Sequence, residues 1–155
     1  MQADPEIVEF LNEALTAELT AINQYFAHAK LCENWGWAKL ARKYREESIG
    51  EMRDAERLME RILFLEGVPN LQRLGGVRVG ETVPEQLQVD LDLEYAAVER
   101  YRRGVQLTLT KGDAGTREIL EELLAGEEHH ADWTEMQLRI LHDIGLERYL
   151  QSQLD

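Results

Sequence analysis

Apolar residues recur along most of the chain at intervals of three and four positions, the period of an amphipathic α-helix. The first such stretch begins at Asp4 and Pro5, a helix-capping residue followed by one suited to the first helical position. It continues to about Gly36, where glycine permits a turn. The pattern predicts a first helix, A, whose apolar positions are Ile7, Leu11, Ala14, Leu15, Leu19, Ile22 and Phe26.

Three further stretches with the same period are separated by residues that stop helices. The predicted bounds are about 37–65 for helix B, 82–110 for helix C, from 113 or 116 to 144 for helix D, and 146–153 for a short fifth helix. Helix C has Thr82 as its predicted N-cap, with Glu85 three positions on, as in a capping box. Each long helix would span on the order of 40 Å.

The segment 67–81 contains Pro69, Gly75, Gly76 and Gly80 and lacks the helical period. It is too long for a turn between neighbouring antiparallel helices, but it suits a connection that crosses along a bundle. We therefore predict an all-α fold: a four-helix bundle with a long crossover between helices B and C and a short fifth helix. We expect residues 1–155 to form a single domain.

Composition narrows the classes of function. Acidic residues outnumber basic ones by 30 to 17, the formal charge is −13, and no basic cluster offers a surface for phosphates, so we expect no nucleic-acid partner. No apolar run approaches the roughly 20 residues of a membrane helix, so we expect no membrane partner. A single Cys32, and a start without a basic and apolar leader, favour a cytoplasmic protein.

Four glutamates form an internal repeat. Glu18 on helix A precedes Glu51 on helix B by 33 positions, and Glu94 on helix C precedes Glu127 on helix D by the same interval. Any one helical glutamate is more often a solvated charge than a ligand. These four, however, lie among apolar neighbours and keep one interval in both halves, which favours a shared buried site.

Each second glutamate has a polar residue three positions on, which places both side chains on one helical face. The two pairs are Glu51 with Asp54 and Glu127 with His130. Glutamates from two helices, with Glu-x-x-His from two others, form the ligand set of ferritin-like di-iron bundles. Carboxylates and imidazole suit iron and leave positions open for an oxidant.

The other histidines are weaker candidates. His129 points about 100° away from His130 on the helix, so only one of them can lie beside Glu127. His28 and His142 have no comparable partners in the sequence, and we interpret them as surface or interface residues.

At these positions the chain resembles the bacterioferritins along nearly its whole length. The resemblance is carried by ELTAINQYF at 18–26, RILFLEG at 61–67 and DW at 132–133. It implies a homo-oligomeric or hetero-oligomeric cage of 24 subunits that oxidises Fe(II) with oxygen or peroxide and stores a ferric mineral. It also implies haem b between paired subunits and a ferredoxin-type reductant as a partner.

The resemblance assigns roles by position. It implies that Glu18 and Glu94 are terminal ligands, that Glu51 and Glu127 bridge the two irons, and that His130 binds one of them. Tyr25 matches a tyrosine beside the centre that is a candidate electron donor, although a tyrosine on a bundle face is more often a core residue.

Haem binding is implied by one methionine. Met52 matches the methionine that ligates haem iron from two subunits, although a methionine there is more often a packing residue. It lies on a stripe of helix B that faces away from Glu51, with Ile49, Met59 and Leu63.

Three positions depart from the family. Asp54 stands where the family has a second histidine ligand, and its shorter side chain puts ferroxidase activity in question. Glu46 and Gly50 depart from the family's auxiliary iron site on the inner surface, although Glu47 is a candidate auxiliary ligand.

The sequence bears on four alternative functions. A haem-binding subunit with an impaired centre would co-assemble with a competent subunit. A DNA-protecting mini-ferritin would need basic arms and a site between subunits. A rubrerythrin-like enzyme would need paired C-x-x-C motifs, which a single Cys32 excludes. The last alternative is a helical bundle that binds no metal.

Overall fold

A computed structural model describes residues 4–155 of the protein. In it the chain forms four long helices and one short helix. The helices are α1 (Pro5–Trp35), α2 (Ala38–Phe64), α3 (Val83–Lys111), α4 (Ala114–Ile144) and α5 (Leu146–Gln151). The predicted all-α bundle with a crossover and a short fifth helix is confirmed, and no strand occurs within residues 4–155. Helix α5 is two residues shorter than predicted at its C-terminal end.

Side-chain caps begin α1 and α3 where the sequence predicts them. Asp4 accepts a hydrogen bond from the backbone N–H of Glu6, 2.9 Å away, at the start of α1. Thr82 accepts one from the N–H of Glu85 at the start of α3. The Glu85 carboxylate bonds the N–H of Glu81 rather than that of Thr82, so the predicted capping box is only half formed.

The helices pack as two hairpins, α1 against α2 and α3 against α4, with α1 facing α3 and α2 facing α4. The crossover is attached to α1 by hydrogen bonds. The N–H of Gly75 donates to Thr20 Oγ1 at 2.9 Å, and the N–H of Gly80 donates to His28 Nε2 at 3.0 Å. No helix among residues 4–155 is both long enough and apolar enough to cross a membrane.

Two apolar clusters lie toward opposite ends of the bundle and leave a polar zone between them. One consists of Ile7, Phe10, Leu11, Ala14, Leu15, Ala55, Leu58, Ile62, Leu65, Tyr101, Leu120 and Leu123. The other consists of Ala21, Tyr25, Ala29, Cys32, Leu40, Tyr44, Val83, Leu87 and Tyr149. The four repeated glutamates lie between these clusters along the helices, so rigid, close-packed helices position them.

Candidate metal centre

Each long helix contributes one glutamate of the repeated set to the middle of the bundle, where it is almost completely buried. Their residual exposures are 3% for Glu18, 2% for Glu51, 0% for Glu94 and 1% for Glu127. Glutamate is almost never so completely buried unless its charge is neutralised. Four such residues in one place are therefore expensive to maintain without a function.

The structure brings all six predicted ligand residues together in two overlapping groups. One group contains Glu51, Glu94, Glu127 and His130, and the other contains Glu18, Glu51, Asp54 and Glu127. In each group, one potential ligand atom from each residue lies within 4.8 Å of the others. Glu51 and Glu127 belong to both groups, which is the arrangement that two ions sharing two carboxylates would require.

His130 points one ring nitrogen at the carboxylates. Its Nδ1 lies 3.4 Å from Glu51 Oε1, 3.6 Å from Glu127 Oε2 and 3.8 Å from Glu94 Oε2. Its Nε2 lies 3.0 Å from Glu47 Oε2, and Glu47 Oε1 in turn lies 2.9 Å from Lys43 Nζ. A carboxylate on the second nitrogen is the usual partner that orients a metal-binding imidazole.

Several buried atoms of this zone have no hydrogen-bond partner within the described part of the chain. They are Glu18 Oε2, Glu51 Oε1, Glu94 Oε2, Glu127 Oε1 and His130 Nδ1. Buried polar atoms in folded proteins are nearly always satisfied, and an unsatisfied group calls for an unseen partner. Carboxylate oxygens that converge without donors fit a cation.

Protonation compensates part of this negative charge. Burial raises the pKa of Glu18 to about 8 and raises the pKa values of Glu51 and Glu94 well above their ordinary range. Burial would also raise the pKa of Glu127, but the adjacent Glu94 and His130 side chains lower it overall. Burial would lower the pKa of His130, but the adjacent carboxylates of Glu127 and Glu47 raise it to about 10. Metal ions would therefore displace protons on binding.

Two buried tyrosines extend the internal repeat. Tyr25 follows Glu18 by seven positions, and Tyr101 follows Glu94 by the same interval. The Tyr25 hydroxyl donates to Glu94, and the Tyr101 hydroxyl donates to Glu18, so each tyrosine bonds the glutamate of the other half. Sequence reasoning identified Tyr25 and missed Tyr101, although the repeated interval of seven was a signal for it.

Asp54 lies within reach of the centre despite its short side chain. It belongs to the second ligand group and is partly buried. Burial and the nearby Glu127 raise the pKa of Asp54 to about 6. In the Glu18 half of the centre, Asp54 thus supplies a fifth carboxyl group. In the Glu94 half, the corresponding group is the imidazole of His130.

Met52 lies outside this centre, on an apolar surface of α1 and α2. Met52 is 48% exposed, Phe26 52% and Ile49 37%. Leu63 is also exposed, whereas Met59 is partly buried against the core, so the predicted stripe is exposed only in part. A thioether on an exposed apolar surface fits a bound haem or a subunit contact.

The prediction for His28 as a surface or interface residue is wrong, because its side chain is fully buried. Its Nδ1 lies 3.0 Å from the carboxylate of Asp90, and its Nε2 accepts from the crossover backbone. The sequence could not show this, because its partners lie more than 50 positions away. His129 and His142 are exposed, in agreement with the sequence.

Fold and site together define a ferritin-like four-helix protein, and comparisons with known proteins agree. The model of the ferritin-like domain family matches residues 8–144. Bacterioferritin of Streptomyces coelicolor is 52% identical over 155 residues, which cover 100% of this chain and 93% of the relative. Bacterioferritin of Mycobacterium leprae is 48% identical over 149 residues, 96% of this chain and 94% of the relative.

A solved structure gives the same result. Mycobacterium tuberculosis bacterioferritin, BfrA, superimposes with a TM-score of 0.98 at 44% sequence identity, and the match covers 100% of this chain and 98% of that chain. The chain therefore belongs to the bacterioferritin family.

Proposed function

We propose that the chain is an iron-storage subunit that oxidises Fe(II) to Fe(III) at a di-iron centre inside its own bundle. Membership of the bacterioferritin family supports iron storage. The observation that carries the finer proposal is the pair of overlapping ligand groups that share Glu51 and Glu127. An isolated acidic pocket would not place six potential ligands, from all four long helices, around two positions.

The residues present fit two iron ions. Glu94 and His130 would hold one ion and Glu18 and Asp54 the other, with Glu51 and Glu127 shared. The two carboxylates common to both positions suit either oxidation state of iron, and the imidazole suits iron as well. The unpartnered oxygens of these glutamates would gain the cations that they lack.

The reaction takes two electrons from two Fe(II) ions. These two electrons reduce one hydrogen peroxide, with two protons, to two waters. Alternatively, they reduce one dioxygen, with two protons, to one hydrogen peroxide. The protein's part is to hold both ions at fixed separation on rigid helices and to keep the surrounding carboxylates oriented. Tyr101 and Tyr25 orient Glu18 and Glu94 by hydrogen bonds.

Tyr25 is also our candidate for an additional electron donor. Its hydroxyl donates directly to the ligand Glu94, so its ring is one hydrogen bond from the centre. Its burial, at 2% exposure, protects an oxidised ring from solvent.

The family resemblance extends the proposal to a cage. We propose that copies of the chain, alone or with a second subunit type, form a shell of 24 subunits around a ferric mineral. A ferredoxin-type reductant would release the iron. We also propose that Met52 binds haem b at a twofold contact, because its thioether is exposed among apolar side chains.

Haem binding through Met52 is testable with a matched methionine. When haem b is added to the purified protein and unbound haem is removed, Met52→Leu should abolish the visible absorbance that remains with the protein, because leucine has no ligand atom. Met136 is 40% exposed on α4, and Met136→Leu should leave the haem spectrum unchanged. A full haem spectrum in Met52→Leu would contradict the assignment.

Stoichiometric iron oxidation tests the central proposal. Metal-free protein should bind two Fe(II) per subunit without oxygen, and oxygen should then produce a fast rise in near-ultraviolet absorbance that saturates at that ratio. A slow rise without saturation would instead favour a haem subunit with an impaired centre. If the protein binds no iron, the alternative of a helical bundle without a metal site is the correct one.

A further inference from the structure

We propose that the two positions of the metal centre select different divalent cations: the position held by Glu18 and Asp54 takes Mn(II), whereas the position beside His130 takes iron or zinc. This inference rests on the proposed function, because both positions belong to the proposed di-iron centre. Fe(II) fills both positions when no other metal competes.

The two ligand groups offer different donor atoms. One group consists of carboxylates alone, those of Glu18, Glu51, Asp54 and Glu127. In the other group, a ring nitrogen of His130 stands among carboxylates. Imidazole suits iron and zinc, whereas carboxylate and water suit manganese. The two positions therefore present unlike surroundings to ions of equal charge.

The all-oxygen position is more than a cluster of acidic residues, because it contains buried acceptors without donors. The Tyr101 hydroxyl donates to Glu18 Oε1, which leaves Oε2 of the same carboxylate free. Glu18 Oε2, Glu51 Oε1 and Glu127 Oε1 are buried and have no hydrogen-bond partner within residues 4–155. Buried oxygens in this state need a cation. Tyr101 adds a further oxygen to this half, and no nitrogen.

The imidazole is committed to the other position. Its Nδ1 lies 3.4 Å from Glu51 Oε1, 3.6 Å from Glu127 Oε2 and 3.8 Å from Glu94 Oε2. The carboxylate of Glu47, 3.0 Å from Nε2, holds the ring in this orientation. An ion beside His130 therefore has a nitrogen donor that its neighbour lacks.

Mn(II) is the ion that fits the difference between the two positions. It stands lowest in the affinity order of the first-row divalent metals, so it competes best where a site offers its rivals no nitrogen. Glu51 and Glu127 belong to both ligand groups, so an ion in the all-oxygen position shares two carboxylates with its neighbour. Mn(II) carries the charge of Fe(II) and accepts the same carboxylate ligands, which suits it to this shared arrangement.

Competition between two metals tests the assignment without any oxidation step. The full-length, metal-free protein is dialysed to equilibrium against Zn(II) and an about tenfold higher concentration of Mn(II), and bound metals are counted by elemental analysis. Electron paramagnetic resonance then distinguishes an isolated Mn(II) from a coupled pair of Mn(II) ions. We expect the wild-type protein to hold about one Mn(II) and about one Zn(II) per subunit, with the spectrum of isolated Mn(II).

Exchanging the donor atoms should change the metals in opposite directions. Asp54→His gives both positions an imidazole, so Zn(II) should fill both and bound Mn(II) should fall by about tenfold. His130→Asp makes both positions all-oxygen, so bound Mn(II) should rise to about two per subunit and show the coupled spectrum. Arg53 is exposed on α2 and belongs to neither ligand group, so Arg53→His is the matched control and should keep the wild-type ratio.

Two results would overturn the selectivity. One is a wild-type protein that binds Zn(II) in both positions and no Mn(II). The other is an Asp54→His protein that holds as much Mn(II) as the wild type. In either case the metal centre itself stands, because metal is bound at two positions. A wild-type protein that retains neither metal would instead refute the proposed centre, so the two failures are distinguishable.

Discussion

Two buried polar clusters lie in the same bundle and are stabilised in opposite ways. The cluster around Asp90 is satisfied from within: Gln24 donates to its carboxylate at 2.9 Å, and His28 Nδ1 lies 3.0 Å from it. Gln24 and His28 in turn accept from the crossover backbone. The cluster around Glu51 and Glu127 has converging acceptors and few donors.

The difference separates a structural network from a binding site. Asp90 is 1% exposed, about as buried as Glu127, so burial alone does not distinguish the two. What distinguishes them is whether the protein supplies the hydrogen-bond partners. A complete network fixes the crossover to the bundle, whereas an incomplete one leaves room for a cation.

The largest effect should come from breaking the complete network. Asp90→Ala leaves His28 and Gln24 buried without their shared acceptor, which should cost about 3 kcal/mol of unfolding free energy. For a chain of this size we expect the thermal midpoint to fall by roughly 6–12 °C. Calorimetry of metal-free protein measures this shift.

The matched control lies two positions along the same helix. The Asp92 side chain is 42% exposed and pairs with Arg78 at 3.1 Å, so Asp92→Ala should cost at most about 1 kcal/mol. Equal losses from both substitutions would show that the buried network contributes nothing beyond an exposed ion pair.

The cluster around Glu51 and Glu127, which lacks hydrogen-bond donors, should make the metal-free protein less stable as the pH rises. The folded pKa of Glu18, about 8, lies above its ordinary value of 4.5, so the protonated form stabilises the fold. This stabilisation is fully present below pH 4.5 and is lost as the pH rises through about 8. We expect the thermal midpoint in the presence of a chelator to fall by several degrees between pH 5 and pH 9.

Glu18→Gln provides the control for this pH dependence, because glutamine is as large as glutamate but does not ionise. Its midpoint should decline less over the same range. Bound metal should also flatten the decline, since a cation stabilises the ionised carboxylates. A wild-type midpoint that rises from pH 5 to pH 9 would contradict this account of the cluster.

The two clusters also differ in how far the sequence predicts them. The metal cluster is visible because its ligands repeat at equal intervals on four strongly periodic helices. The Asp90 cluster joins α1, α3 and the backbone of a crossover that has no period, so His28 looked like a surface residue. The buried His28 Nε2 accepts from the N–H of Gly80, a contact that only the folded chain creates.

The smallest effect should come from making the two halves of the metal centre alike. Asp54→His gives the Glu18 half the imidazole that His130 provides to the Glu94 half. Because the Asp54 carboxylate already lies within the ligand group, we expect the rate of Fe(II) oxidation to change by less than about tenfold, or about 1.4 kcal/mol. Stopped-flow absorbance at two Fe(II) per subunit measures this rate. Asp54→Ala is the comparison variant that has no ligand atom at position 54. A sharp rise in Asp54→His would mean that the natural chain is a haem-binding subunit with an impaired centre, which depends on a competent partner for oxidation.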